Sequence, residues 1–240
     1  MTFFSKVSSN QYVLILAFLL SFSTQINAQD RGRDKLGSWF AINGTNLITN
    51  KISLHTEAQF RYYEFAHNFN QMLLRTAVNY HFSPKAMVSF GYGYIDTSSY
   101  SKDDDQVKSS ENRIYEQFIL RNTLGKFDFI HRYRFEQRWV NTLGSTEMLN
   151  RFRYNLQISY PIAERWHLVV ADEIMINFEP DLFNQNRLFG GVRYKVNNDL
   201  LLQVGYLKNT FSDIAFDRVS MTAIFKTDFI RQALKNKTAK

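Results

Sequence analysis

From Ile52 to Tyr62 the chain alternates without a slip. Ile52, Leu54, Thr56, Ala58, Phe60 and Tyr62 fall on one parity, and Lys51, Ser53, His55, Glu57, Gln59 and Arg61 on the other. Successive side chains of a β-strand point to opposite faces, so this segment reads as a strand with one greasy and one ionic face. The pattern repeats. Met72, Leu74, Thr76, Val78, Tyr80 and Phe82 oppose Gln71, Arg75, Asn79 and His81. Phe127, Phe129, His131, Tyr133, Phe135 and Trp139 oppose Asp128, Arg132, Arg134, Glu136 and Arg138. Phe152, Tyr154, Leu156, Ile158 and Tyr160 oppose Arg151, Arg153, Asn155, Gln157 and Ser159.

Less regular alternation predicts further strands over Leu36–Asn43, Ala86–Ile95, Arg113–Leu124, Trp166–Asn177, Arg187–Val196, Leu200–Asn209 and Arg218–Phe229. Glu116 and Asp172 fall on the greasy parity, which calls for a β-bulge that rephases either strand or for a different register there. Short connections carrying turn residues, such as Ser83-Pro84-Lys85 and Gly125-Lys126, alternate with longer polar ones: Glu64–Asn70, Thr97–Ser110, Asn141–Leu149, Glu179–Asn186 and Thr210–Asp217. Tyr80, Phe82, Tyr160, Trp166 and Tyr194 border the short turns. Tyr62, Tyr63, Tyr94, Trp139 and Phe178 border the long ones. Two interfacial aromatic girdles account for both sets.

An all-β chain of this kind closes as an antiparallel up-and-down β-barrel, and the greasy face decides whether that barrel is soluble or spans a membrane. Three features favour the membrane. The best strands run roughly ten to thirteen residues, as tilted transmembrane strands do; soluble strands average about five to six. Aromatic residues, 16% of the chain, mark the ends of the greasy face. The polar face carries Arg and Glu together, which suits a lumen where charges pair. The alternative is a secreted soluble barrel with the faces inverted. Eleven segments are visible, whereas single-chain bacterial barrels have even numbers. About ten to twelve strands are therefore expected, with a short strand hidden in Gln29–Lys35 or one segment misassigned.

The first 28 residues read as a cleaved signal peptide: Lys6, the uncharged run Tyr12–Leu20, then Ile26-Asn27-Ala28 at the cleavage position. The barrel is expected over 29–229, followed by a basic tail over 230–240. Export of this kind implies the outer membrane of a Gram-negative cell, with membrane lipid as the first partner. The absence of cysteine excludes disulfides, thiol nucleophiles and thiolate metal sites. The net charge of +7 is spread through the strands at period two rather than gathered in a patch, which argues against nucleic-acid binding. The sequence does not specify an oligomeric state.

The run Glu111-Asn112-Arg113-Ile114-Tyr115-Glu116-Gln117, then Leu124-Gly125-Lys126 and His131-Arg132-Tyr133-Arg134-Phe135-Glu136-Gln137-Arg138, forms a distinctive stretch. With Trp39-Phe40, Glu57–Tyr62, Asp172-Glu173 and Gly190–Tyr194, it resembles the uncharacterised outer-membrane family called domain of unknown function 2490, common in Bacteroidetes. The resemblance implies an outer-membrane barrel and carries no activity, cofactor or catalytic residue.

The chemistry-bearing feature is the ionic face. Glu57, Arg61, Arg75, Arg113, Arg121, Arg132, Arg134, Glu136, Arg138, Arg151, Arg153, Glu173, Arg187 and Arg193 are expected to point into the lumen. Arg facing lipid at the midplane costs about 2–4 kcal/mol. Three readings follow: a porin-like path or binding chamber for small anionic solutes, since Arg outnumbers acid; a structural or interaction barrel whose lumen is sealed by Arg–Glu pairs; and a lipid-modifying enzyme. The last finds little support, because His55, His67, His81, His131 and His167 are scattered and no nucleophile-elbow serine occurs. His55 and His81 fit the lumen and His131 the outside. Asp103-Asp104-Asp105 lacks calcium-loop spacing and reads as a solvated loop. No catalytic residue, cofactor or metal site is expected.

Overall fold

In the computed structural model, described for residues 34–101, 106–178 and 181–229, the alternating segments become eleven strands. They are β1 (Leu36–Leu47), β2 (Ile52–Glu64), β3 (His67–Ser83), β4 (Ala86–Ser98), β5 (Lys108–Leu124), β6 (Phe127–Thr142), β7 (Ser145–Pro161), β8 (Trp166–Asn177), β9 (Phe183–Lys195), β10 (Leu200–Thr210) and β11 (Ala215–Asp228). Each pairs antiparallel with the next in sequence, and β1 returns to β11 to close a barrel. The signal peptide, the basic tail, the Asp103–Asp105 run and Gln29–Arg33 lie outside the described residues.

Hairpin chemistry explains the tightest connections. Leu143 and Gly144 both adopt positive φ, at 52° and 86°, as a two-residue turn matched to right-handed strand twist requires. Gly125 does the same at 60° between β5 and β6. These turns correct the sequence reading of two long loops. Asn141–Leu149 is largely strand that closes on Leu143-Gly144, and Glu64–Asn70 reduces to the turn Phe65-Ala66, because Glu64 already pairs with His67. The longest connection lies between Ser98 and Lys108, where a longer loop was expected.

The described residues form eleven strands, within the ten to twelve expected, and the odd number decides how the barrel closes. Eleven alternating strands make the first and last run in the same direction, so β1 and β11 pair in parallel, Leu36 opposite Asp217 and Leu47 opposite Asp228. The barrel is antiparallel everywhere except at this seam. The start of β1 consequently shares a rim with the Ser98–Lys108 connection, while β11 ends at the rim of the short turns.

The two faces follow the alternation. Ile42, Phe60, Leu74, Val78, Phe90, Phe118, Val170, Leu188 and Val204 are exposed on the outside, whereas Glu57, Arg61, Arg113, Arg134, Glu136, Arg153 and Glu173 are buried inside. This is the inverse of a soluble protein and the arrangement of a transmembrane barrel, whose closed ladders satisfy the backbone and leave side chains to choose between lipid and lumen. Aromatic contacts gather toward both rims, as in Tyr80–Phe82, Phe127–Tyr160 and Trp166–Tyr194 near the short turns and Phe40–Tyr62, Tyr62–Phe69 and Phe135–Phe178 near the opposite rim. Glu116 and Asp172 face outward with no bulge beside either; Asp172 accepts from Asn186 Nδ2 at 2.8 Å on the outer surface.

Candidate functional site

The lumen is built from one parity of each strand, and its centre is a continuous ionic network. Glu136, on β6, has no exposed surface. Its Oε2 accepts from Arg151 Nε and Nη2 on β7, at 2.9 and 2.6 Å. Its Oε1 accepts from Arg153 Nη1 at 2.8 Å and Arg113 Nη1 at 3.2 Å. Arg153 continues to Glu173 on β8, which also takes Arg132 Nη2 at 2.6 Å. On the other side Arg113 reaches Glu111, which Arg138 grips with both Nε and Nη2. Glu57 forms a separate centre, accepting from Arg75 and Gln59 and lying 3.0 Å from His55 Nε2.

A second class of arginine is held differently. Arg61 donates to Gln59 and Gln71, and its guanidinium lies 3.6 Å over the Trp39 ring. Arg134 donates to Gln117 Oε1 at 2.7 and 3.1 Å and stacks 4.6 Å over Tyr115. Arg193 donates to Gln203 and Gln157. Arg187 donates to Gln185 and Asn209, with Glu173 at 3.8 Å. Neutral amide oxygens fix a guanidinium in place without cancelling its charge. Among the described residues, Arg61, Arg121, Arg193 and Arg218 have no carboxylate within 4.0 Å.

Around these groups lies a cavity of about 1070 Å³. It is lined near the short turns by Leu47, Pro84, Arg121 and Lys226, and near the opposite rim by Tyr63, Thr97, Ser109 and Phe216. The sequence-predicted residues Glu57, Arg61, Arg75, Arg113, Arg121, Arg132, Arg134, Arg138, Arg151, Arg153, Glu173 and Arg187 all line it. Glu136 lies behind its arginines, and Arg193 joins through its glutamines. Glu111 and Arg218 are lumen members that sequence reasoning missed. Glu111 shares parity with Arg113, a signal available once the strand is extended by two residues. Arg218 donates to the Tyr62 carbonyl and packs over Tyr63 and Phe216.

Gly91 is what admits Tyr115 to the lumen. A Cβ there would sit 2.3 Å from the Tyr115 ring, which has no exposed surface and receives Arg75 and Arg134 on its faces. Of the histidines, His55 and His81 line the cavity, and His131 lies outside against Tyr154. His81 Nε2 is 2.9 Å from Ser53 Oγ, and Ser53 has no exposed surface. Among the described residues no group of three or more His, Asp or Glu is placed to hold a metal ion.

Two solved structures resemble the fold. The translocator domain of autotransporter NalP from Neisseria meningitidis matches at 10% identity and TM-score 0.41, over 70% of this chain and 72% of that one. The siderophore receptor PirA from Pseudomonas aeruginosa matches at 12% identity and TM-score 0.33, over 72% of this chain and 34% of that one. No curated protein matches. The family model described as protein of unknown function (DUF2490) matches residues 36–220, from the first strand into the last, and the chain belongs to that family.

Proposed function

We propose that this chain is an outer-membrane barrel, delivered by a cleaved signal peptide, whose lumen binds and passes small anionic solutes. The carrying observation is the division of the lumen arginines into two classes. Those around Glu57, Glu111, Glu136 and Glu173 are ion-paired, each carboxylate shared among arginines or amides, and brace the wall. Arg61, Arg121 and Arg218 line the cavity with no carboxylate within 4.0 Å among the described residues, and Arg193 joins them through Gln157 and Gln203. A low-dielectric wall focuses the field of such charges onto the path and concentrates anions there. No catalytic role is proposed.

The test is electrical. Purified protein in a planar bilayer under a potassium chloride gradient is expected to conduct, with a reversal potential of the sign set by chloride. Silence in the bilayer supports the sealed-lumen reading, in which the Glu136 network braces and blocks; a potassium-selective current sinks the anion reading outright.

A further inference from the structure

We infer that the lumen contains a discrete binding site for a phosphate-like oxyanion, formed by Arg61 and Arg187 beside Trp39. This rests on the anion-passing reading and adds a saturable step to it. Both guanidinium groups lie over the same indole, Arg61 at 3.6 Å and Arg187 at 4.9 Å from the ring centre. Trp39 is itself fixed, its Nε1 donating to Gln59 Oε1 at 2.8 Å. The same glutamine oxygen accepts from Arg61, so ring and cation are locked as one unit.

Two cations sharing one ring repel each other, and amide oxygens supply most of their hydrogen bonds. Arg61 is 8% exposed and has no carboxylate within 4.0 Å among the described residues. Its Nε has no hydrogen-bond partner, and its remaining contacts are amide oxygens of Gln59 and Gln71. Of the five N–H donors that a guanidinium carries, most are therefore unused. Arg187 is likewise steadied by Gln185 and Asn209, and its nearest carboxylate, Glu173, already accepts from Arg153 and Arg132. The contrast with Glu136 is instructive, since there the same lumen supplies a carboxylate to its arginines. Both residues line the cavity.

The ligand class follows from donor geometry. Planar guanidinium forks match the spaced oxygens of phosphate or sulfate and bind them through paired N–H donors, while a spherical halide uses one donor direction at a time. The apolar outer wall separates this position from lipid, so the ligand is a free oxyanion rather than a headgroup.

The test uses detergent-purified full-length protein carrying Trp139→Phe and Trp166→Phe, which leaves Trp39 as the sole tryptophan. Inorganic phosphate should perturb Trp39 emission saturably, at concentrations where chloride does not. Arg61→Gln and Arg187→Gln should each weaken phosphate binding roughly tenfold or more, the loss expected for a charge-assisted hydrogen bond. Arg61→Lys should recover part of it. Lys208→Gln, the same charge change on the outer face, should leave affinity unchanged, with folding of every variant checked by heat-modified gel mobility. Equal weakening by Lys208→Gln, saturation by chloride at the same concentrations, or saturation by a short-chain phosphatidic acid but not by inorganic phosphate would each overturn the site. Bilayer currents on the same preparation separate the two ideas. Anion-selective current without phosphate saturation removes the site alone, and saturation without current removes the passage alone.

Discussion

Arg151 closes on Glu136 through two donors onto a single carboxylate oxygen, Nε at 2.9 Å and Nη2 at 2.6 Å, in a part of the lumen where Glu136 has no exposed surface. The other oxygen serves Arg153 and Arg113, with Arg134 Nη1 at 3.6 Å. One carboxylate thus holds four cations drawn from β5, β6 and β7.

Glu136→Gln is expected to be the most damaging isosteric change in the lumen. It leaves several buried guanidinium groups facing one another without their counter-charge. Removing one partner from a buried ion pair costs about 3–5 kcal/mol. Unfolding by urea from lipid vesicles, followed by tryptophan emission, should show a clear fall in midpoint. A midpoint equal to wild type would mean that solvent, not Glu136, screens these arginines.

The outward face should resist charge in proportion to depth. Val78 is 55% exposed and pairs with Leu54 and Phe90, so nothing beside it can neutralise a cation. Val78→Arg should therefore lower the stability of the inserted barrel by about 2–4 kcal/mol. Gln117→Leu, which removes the amide clamp on Arg134 from the lumen side, should leave insertion itself intact. Both are read as folded fraction in vesicles by heat-modified gel mobility; normal insertion of Val78→Arg would invert the assignment of faces.

How far the sequence specifies this barrel depends on depth. Within the lipid belt each strand must be greasy outside and polar inside, and there the reading matched: β2, β4, β6, β8 and β10 start at Ile52, Ala86, Phe127, Trp166 and Leu200 as expected. Beyond the belt lipid no longer selects for alternation. Asn141–Leu149 therefore reads as a loop although β6 and β7 run on to Leu143-Gly144, and the alternation of β5 is clear only from Arg113, which leaves Glu111 outside it. Parity placed the arginines in the lumen, but it could not pair them. The Arg132–Glu173 contact joins residues 41 apart, and its existence depends on the register of strands that only closure of the barrel fixes.

Glu116 gives a prediction of the opposite sign. It points outward between Phe90 on β4 and Phe135 on β6, with no ion pair among the described residues. A carboxylate in that position is costly to an inserted barrel, so Glu116→Leu should raise the urea midpoint or leave it unchanged. A marked drop would show that Glu116 meets a partner in the membrane.

Gly91→Ala should act on the lumen from the wall. Its Cβ would press into the Tyr115 ring, which is fully buried and cannot move without shifting off Arg75 and Arg134. Overpacking of this kind costs about 1–3 kcal/mol. The expected result is a lower unfolding midpoint together with altered bilayer conductance; an unchanged current with an unchanged midpoint would mean that Tyr115 swings aside freely.

The parallel seam makes the last prediction, and it concerns topology. In a barrel with an even strand count the first strand begins and the last one ends at the same rim. Here β1 and β11 run together, so Leu36 lies at the rim of the Ser98–Lys108 connection and Asp228 at the rim of the short turns. The chain has no cysteine, which permits single-site labelling without background. With the short turns periplasmic, Leu36→Cys and Thr146→Cys should react with a membrane-impermeant maleimide in intact cells. Asp228→Cys and Lys85→Cys should react only after the outer membrane is permeabilised. Labelling of Leu36→Cys together with Lys85→Cys, and apart from Thr146→Cys, would place the start of β1 at the other rim and require an even strand count. Exchange of the two groups as wholes would keep the eleven-stranded barrel and reverse its orientation.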